Sequence, residues 1–394
     1  MKRFYSFLLL ATLNLAGTFA QNGTGFIGNG YYRICNYATN RYIYVTDNKD
    51  YYDKTRDAED FQAIQLWKDI NRSVPDPASV LYMEEVSSGT FDLRAQGTGV
   101  HSLTGYYISV QKKKGGTYEV SASAHGVTKY LTDDETGGSA QGQMGTSRTG
   151  DYRKWTIDKI ETNHASNYFG IKPTIQLGDK YYQPFYAAFP FRATSADMHI
   201  YIVDAIVAGN IAGMKEITGD VPANTPVIIE CASVNPSDNR LELLTSTSAT
   251  VAGNKLSGVY FCNGKRPEAS TDAYTKFDAA TMRVLSVVNG NLVLTNNAPE
   301  RLNEIKTVDW DTYTQIKIKC LPANTSYFKA NANTPDVLLL TTDPDGIADI
   351  HAESKETPAE GVYSISGTRL RKTNNTQGLP AGVYIVGGKK VAIK

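Results

Sequence analysis

Tyrosine is the residue type in this chain with the widest chemical scope. There are 25 tyrosines against three tryptophans, and a tyrosine ring can stack on a flat apolar surface such as a sugar face while its hydroxyl hydrogen-bonds. Nucleophilic and metal chemistry find less to work with. The five histidines, His101, His125, His164, His199 and His351, stand apart with no H-E-x-x-H or H-x-H spacing, so no metal site is expected. No G-x-S-x-G elbow is present, and the four cysteines, Cys35, Cys231, Cys262 and Cys320, show neither a nucleophile motif nor C-x-x-C spacing. A bridge among the last three is open in an oxidising compartment. No cofactor is expected. A glycosidase needs two carboxylates at a set separation, and Glu84-Glu85 and Asp133-Asp134-Glu135 are the acidic clusters to weigh. Strand neighbours point to opposite faces, so both clusters read as solvated loop charge. Asp343-Pro344-Asp345-Gly346 with Asp349 has part of a calcium loop's oxygen pattern but lacks its far glutamate, and reads as a turn.

The elements that must carry any site are strands. From Gly28 to Ile171 short runs such as Tyr31-Tyr32-Arg33-Ile34, Tyr42-Ile43-Tyr44-Val45, Val80-Leu81-Tyr82-Met83, Tyr106-Tyr107-Ile108-Ser109-Val110 and Trp155-Thr156-Ile157 alternate with polar turns. That spacing points to a sandwich or a trefoil-like barrel. Three stretches carry a family resemblance: G-x-Y-x-I-x-N at Gly30 to Asn36, R-Y-I-Y-V-T-D at Arg41 to Asp47, and Q-x-W at Gln65-Leu66-Trp67, with Arg153-Lys154-Trp155 as a degenerate second copy and no third. Together they resemble the ricin-type β-trefoil. The resemblance implies a trefoil-like domain over residues 21–171 and a sugar pocket combining an aromatic, an acid and an amide. Locally these are Tyr44, Asp47 and Asn48, with Trp67 assigned to the core.

From Leu177 to Thr342 the strands lengthen. Val221-Pro222-Ala223-Asn224-Thr225 leads into Pro226-Val227-Ile228-Ile229, and Leu321-Pro322-Ala323-Asn324-Thr325 leads into Ser326-Tyr327-Phe328. In both, proline presets a turn and asparagine tolerates a left-handed backbone before an apolar strand. Asn289-Gly290 between Ser286-Val287-Val288 and Asn291-Leu292-Val293-Leu294 signals a hairpin. Residues 172–342 therefore read as an antiparallel, sandwich-like β-domain, one that resembles modules of exported surface proteins and carries no implied catalytic residue. Residues 343–360, rich in Asp, Glu, Thr and Pro, read as a linker.

The ends suggest an address. Lys2 and Arg3, the apolar run around Leu8 to Ala11, and Thr18-Phe19-Ala20 form a signal peptide over residues 1–20. No later run is long enough to span a bilayer, and no cysteine lies near the cleavage point for lipid modification. At the other end, residues 361–394 pair Gly361-Val362-Tyr363-Ser364-Ile365-Ser366-Gly367 with Gly378-Leu379-Pro380-Ala381-Gly382-Val383-Tyr384 and a final strand after Gly387-Gly388. This short β-hairpin module carries six Lys or Arg and no acid beyond Glu360. It resembles the C-terminal sorting segment of bacterial type IX secretion cargo, which implies export and sorting machinery as a partner. Losing Lys2 and Arg3 with the signal peptide leaves 38 basic against 40 acidic residues, which argues against a nucleic-acid partner. The expectation is an all-β, secreted or outer-membrane-surface protein that binds without catalysis, with glycan as ligand. The alternatives are a structural or adhesive protein contacting host protein or matrix, and a glycan-degrading hydrolase with a targeting domain.

Overall fold

The structure is a computed structural model that describes residues 25–47, 62–67, 70–97, 108–124, 126–134, 141–145, 149–207, 210–259, 275–309, 312, 314–342, 360–364 and 369–393. The fold is all-β. Residues up to Gly346 gather into one compact unit and Ile347–Lys394 into a second.

Ten strands open the first unit: β1 (Gly30–Asn36), β2 (Tyr42–Asp47), β3 (Gln62–Trp67), β4 (Leu81–Ser87), β5 (Thr90–Ala95), β6 (Ile108–Lys112), β7 (Tyr118–Ala124), β8 (Val127–Asp134), β9 (Gln141–Gly145) and β10 (Lys154–Lys159). Six of them close a ring of antiparallel pairs, β1 to β4, β4 to β5, β5 to β6, β6 to β7, β7 to β10 and β10 back to β1. Closure abolishes free edges. Two hairpins, β2–β3 and β8–β9, leave this ring and pair with each other through Ile64↔Gly142. A six-stranded ring capped by paired hairpins is trefoil geometry. Residues 98–107, between β5 and β6, lie outside the described part. Alternation fills the ring with Tyr32, Ile34, Leu81, Met83, Leu93, Val120, Trp155 and Ile157. Trp155, wholly buried, donates its indole N–H to Leu131 O at 2.9 Å. Burying each large side chain contributes about 1.5–3 kcal/mol.

Strand β1 is buried at every position because its outer face also has a partner. Tyr31, Val80 and Tyr82 point away from the ring and share a second core with Phe169, Phe185, Phe189, Phe191, Ile200 and Ile229. That core belongs to the following strands: β11 (Phe169–Gly170), β12 (Ile175–Leu177), β13 (Lys180–Phe185), β14 (Phe191–Ala193), β15 (His199–Val207), β16 (Ile211–Glu216), β17 (Val227–Cys231) and β18 (Arg240–Leu243). Strands β11, β18 and β14 form a small sheet of their own.

The chain continues through β19 (Leu256–Val259), β20 (Met282–Val288), β21 (Asn291–Thr295), β22 (Asn303–Asp309), β23 (Thr314–Cys320), β24 (Thr325–Lys329) and β25 (Val337–Thr341). The large sheet runs β12-β13-β17-β15-β16-β25-β21-β20-β24-β19, and it contains the same quartet twice. Read inward from one end, past the edge strand β12, the order is β13-β17-β15-β16, and from the other end β19-β24-β20-β21. Each quartet is antiparallel throughout, and in each the fourth strand in sequence follows a Pro-Ala-Asn-Thr turn and inserts second in space. The repeated turn is thus the visible trace of a repeated four-strand unit. Strand β25 lies between the quartets, parallel to β16 and antiparallel to β21, as a lone strand between two units running in opposite senses must. Tyr182, Tyr201, Val203 and Ile228 of the first quartet and Leu256, Leu285, Leu294 and Phe328 of the second share one core.

The quartets differ by an insertion. Between its hairpin and its Pro-Ala-Asn-Thr turn the second quartet carries the ribbon β22–β23, a two-stranded antiparallel sheet. The second unit, described by itself, is a four-stranded antiparallel sheet of β26 (Val362–Ser364), β27 (Arg369–Arg371), β28 (Gly382–Val386) and β29 (Lys389–Ile393), ordered β27-β26-β28-β29. Its β28–β29 turn uses Gly387 at φ +57° and Gly388 at φ +78°, the left-handed pair that a two-residue hairpin requires.

Candidate functional site

Tyr44 and Asp47 sit on β2, in one of the two hairpins that cap the barrel. Tyr44 lies across from Gln65 and Asp47, the last residue of the strand, across from Gln62. The Tyr44 ring is half-buried and packs against the barrel core. Asn48 lies outside the described residues.

What fixes this hairpin is a polar network at its entry. Asn36 ends β1 and its side-chain oxygen accepts from the backbone N–H groups of Ala38 at 3.0 Å and Thr39 at 3.2 Å, while its amide donates to Tyr152 O at 2.9 Å. Asn40 then takes a left-handed φ of +55°, and Arg41 enters the hairpin. The Arg41 guanidinium, nearly buried, makes a bidentate pair with the carboxylate of Asp133, donating from Nε at 2.8 Å and from Nη2, and the Thr39 hydroxyl donates to the same carboxylate. Asp133 belongs to β8, so the pair ties the two cap hairpins together. This corrects the expectation for the Asp133-Asp134-Glu135 cluster: Asp133 is wholly buried in a strand, because Arg41 compensates its charge where solvent cannot. The motif residues Asn36 and Arg41 therefore hold the hairpin in place.

Arg33, on the outer face of β1, is fully buried without a carboxylate bonded to it. Its five donor positions go to Ser79 Oγ, Asn167 Oδ1 and the carbonyls of Tyr168, Ser73 and Val74 at 2.7–3.3 Å. Burial pushes its pKa down to about 10. It pins the segment around residue 73 and the segment around residue 167 to the barrel wall.

The other acidic cluster lies on a strand where a loop was expected, with Glu85 exposed. Glu84 and Glu85 alternate faces on β4, and Glu84 instead faces Asp92 across the strand pair. Asp92 is buried and accepts from Arg94 Nε at 2.6 Å, so its charge is committed to that guanidinium. Of the histidines, His101, His125 and His351 lie outside the described residues, as do Cys262 and the segment 343–350. His164 Nδ1 accepts from the backbone N–H groups of Ser166 and Asn167 in a turn. Cys35 and Cys231 are buried free thiols, both pushed up to about 12 by burial, which suppresses the thiolate. Cys320 is buried. Among the described residues no group of three or more His, Cys, Asp or Glu could hold a metal ion, and no helix is long and apolar enough to cross a membrane.

Sequence reasoning missed a second polar cluster, on the first quartet. Glu230 on β17 lies across from both Tyr182 on β13 and His199 on β15. Lys180 Nζ donates to its carboxylate at 2.8 Å, and His199 Nδ1 meets Glu216 at 2.7 Å. Burial first, then Glu230 and Glu216, pushes the Tyr201 hydroxyl up to about 12. The alternation in His199-Ile200-Tyr201 was the available signal, since it places His199 and Tyr201 on one face. Its partners come from other strands and carry no local mark.

No family model and no curated protein matches the chain. Comparison with solved structures returns the Polyporus squamosus lectin bound to the human-type influenza-binding epitope Neu5Aca2-6Galb1-4GlcNAc, at 14% identity and TM-score 0.26 over 34% of this chain and 50% of that one. It also returns a mosquitocidal holotoxin, at 11% identity and TM-score 0.27 over 81% of this chain and 46% of that one, and Cry35Ab1, at 11% identity and TM-score 0.23 over 54% and 71%. The chain spans about half the length of the first two. At these scores the superpositions do not establish a shared fold, and the trefoil geometry rests on the strand pairing alone.

Proposed function

We propose that the chain is an exported, non-catalytic glycan-binding protein of the outer-membrane surface or the exterior, with its sugar site on the capped barrel at Tyr44, Asp47 and Asn48 and a sorting role for its C-terminal sheet. The closed ring with its paired hairpins carries the reading. Side chains fill the ring interior, so a ligand must be met by the hairpins and loops outside it, and β2 is a hairpin strand that presents a half-buried ring, Tyr44. The network through Asn36, Arg41 and Asp133 gives that strand the fixed scaffold a binding loop needs.

A glycan array and polysaccharide pull-down on the whole chain tests the site. The whole chain is the appropriate sample because Tyr31, Val80 and Tyr82 of the barrel share a core with the strands that follow. Saturable glycan binding that falls at least about tenfold in Asp47→Ala and in Tyr44→Ala, roughly 1.4 kcal/mol each, is the expected result. Absence of binding to any glycan would remove the lectin reading and leave the adhesive or structural one.

A further inference from the structure

Strand register in the C-terminal sheet sorts its charge to one end. The row nearest the Gly387-Gly388 turn reads Arg371, Val362, Val386, Lys389 across the four strands, and the next reads Arg369, Tyr363, Ile385, Lys390. Each row is a cation, two apolar or aromatic residues, and a cation. Beyond them come Ser364, Tyr384 and Val391, then Val383 with Ala392, then Gly382 with Ile393, and none of these is charged. Lys372 directly follows β27, so five of the six cations of the segment lie at one end of a small sheet.

The two arginines are held in place without being neutralised. Arg369 Nη2 donates to the carbonyls of Glu360 at 2.9 Å and Lys372 at 3.2 Å, and Arg371 Nη1 donates to Asn375 O at 3.2 Å. Carbonyls orient a guanidinium but leave its full charge. Among the described residues no carboxylate pairs with any of the five. Between the two arginines Leu370 stands 45% exposed, one of the few large apolar side chains so open to solvent among the described residues.

We propose that this end of the C-terminal sheet is a docking surface for an anionic lipid bilayer. Cations on both edges suit a plane of negative head groups, each adding attraction that falls away within a Debye length. Leu370, flanked by cations, is placed to enter the head-group boundary, a feature that a purely hydrophilic polyanion would not reward. The inference does not depend on the sugar site, which lies in the other unit.

Co-sedimentation of the full chain with vesicles decides it. Binding is expected to vesicles of phosphatidylcholine mixed with phosphatidylglycerol at roughly 0.05 M salt, to weaken strongly at roughly 0.5 M, and to be absent on phosphatidylcholine alone. Lys389→Gln with Lys390→Gln should lower affinity about thirtyfold, and Leu370→Ser should lower it further. A control removing two exposed cations from the barrel, Lys112→Gln with Lys114→Gln, should change nothing. Equal binding to both vesicle types, or an equal loss in the control, would overturn the proposal. So would dextran sulfate binding as tightly as vesicles together with no effect of Leu370→Ser, since that pair of results marks a surface for soluble polyanions.

Discussion

The two Pro-Ala-Asn-Thr turns share a backbone and differ in surroundings. Asn224 and Asn324 both adopt left-handed φ, +64° and +54°, and both turns grip the same stretch of chain. The Asn224 N–H donates to Ala187 O at 2.9 Å, and the Tyr186 N–H donates to Asn324 O at 3.0 Å. Yet Asn224 is exposed while Asn324 is 6% exposed. The Asn324 amide donates to Tyr186 O and to Gln96 Oε1, both at 3.0 Å, and Gln96 in turn accepts from the Ala188 N–H at 3.1 Å. Gln96 is itself left-handed, at φ +62°, and buried. The neighbouring Gly97 packs so closely on Ala188 O that an added Cβ would sit 2.3 Å from it. A motif thus specifies a backbone shape, and its position in the fold decides whether the asparagine side chain is also a fastening. In the first quartet it only turns the chain; in the second it bolts the sheet to the barrel.

The largest expected effect tests that asymmetry directly. Asn324→Ala forces alanine into a left-handed turn, at about 1–2 kcal/mol, and leaves the buried Gln96 amide short of a partner, at about 1–3 kcal/mol. A loss of about 2–4 kcal/mol in urea denaturation is expected, against about 1 kcal/mol for Asn224→Ala. Adding Gln96→Ala to the Asn324→Ala chain should cost about 1–2 kcal/mol less than Gln96→Ala alone, because the partners already count as one unit. Equal costs at the two asparagines, or strict additivity at Gln96, would dissolve the distinction.

Local geometry was legible where a residue type dictates it. Asn289-Gly290 forms its turn at φ +50° and +72°, and Asn224, Asn324 and Gly387-Gly388 take the left-handed conformations their types favour. The inward alternation of Tyr32, Ile34, Leu81 and Met83 was equally readable. Pairings made at a distance were not. Asp133 looked like a surface charge because Arg41, which makes it a buried strand residue, is 92 positions away, and the Gln96–Asn324 bolt spans 228. The quartet duplication left one turn as its sequence trace, because a packed strand requires only an apolar side chain of suitable shape, while a left-handed turn strongly favours Asn or Gly. The strand that carries Tyr44 was likewise readable, whereas Glu230 with its strand-crossing partners stayed hidden.

A middle-sized effect separates the quartets by pH. Burial and Glu230 raise the Tyr182 hydroxyl and the Cys231 thiol, and burial with Glu230 and Glu216 raises Tyr201. All three groups belong to the first quartet. Each keeps its proton in the folded chain at a pH where the unfolded chain has released it, so the folded state binds more protons and stability falls as pH rises. The loss should begin above about pH 9, where an unfolded thiol ionises, and steepen near pH 10 with the tyrosines. Thermal melts from pH 8 to pH 11 should show this decline, and Tyr182→Phe with Tyr201→Phe should make it shallower while leaving the neutral-pH midpoint within a few degrees. An unchanged alkaline slope in that variant would place the sensitive groups in the barrel, at Tyr31, Tyr42 and Cys35, whose pKa values are also raised.

The smallest effect is the sharpest discriminator of backbone from side chain. Glycine reaches the left-handed region without steric cost but brings no amide. Asn224→Gly should therefore leave the urea midpoint almost where it was, within about 0.5 kcal/mol, since an exposed turn asks only for its φ. Asn324→Gly keeps the same φ and should still cost about 1–2 kcal/mol through the Gln96 and Tyr186 hydrogen bonds it forfeits. Glycine thus subtracts the shared conformational part from both sites, and what remains is the fastening alone. A cost above about 1 kcal/mol for Asn224→Gly would mean that the first turn is also fastened through its side chain, and that the two copies differ in degree and not in kind.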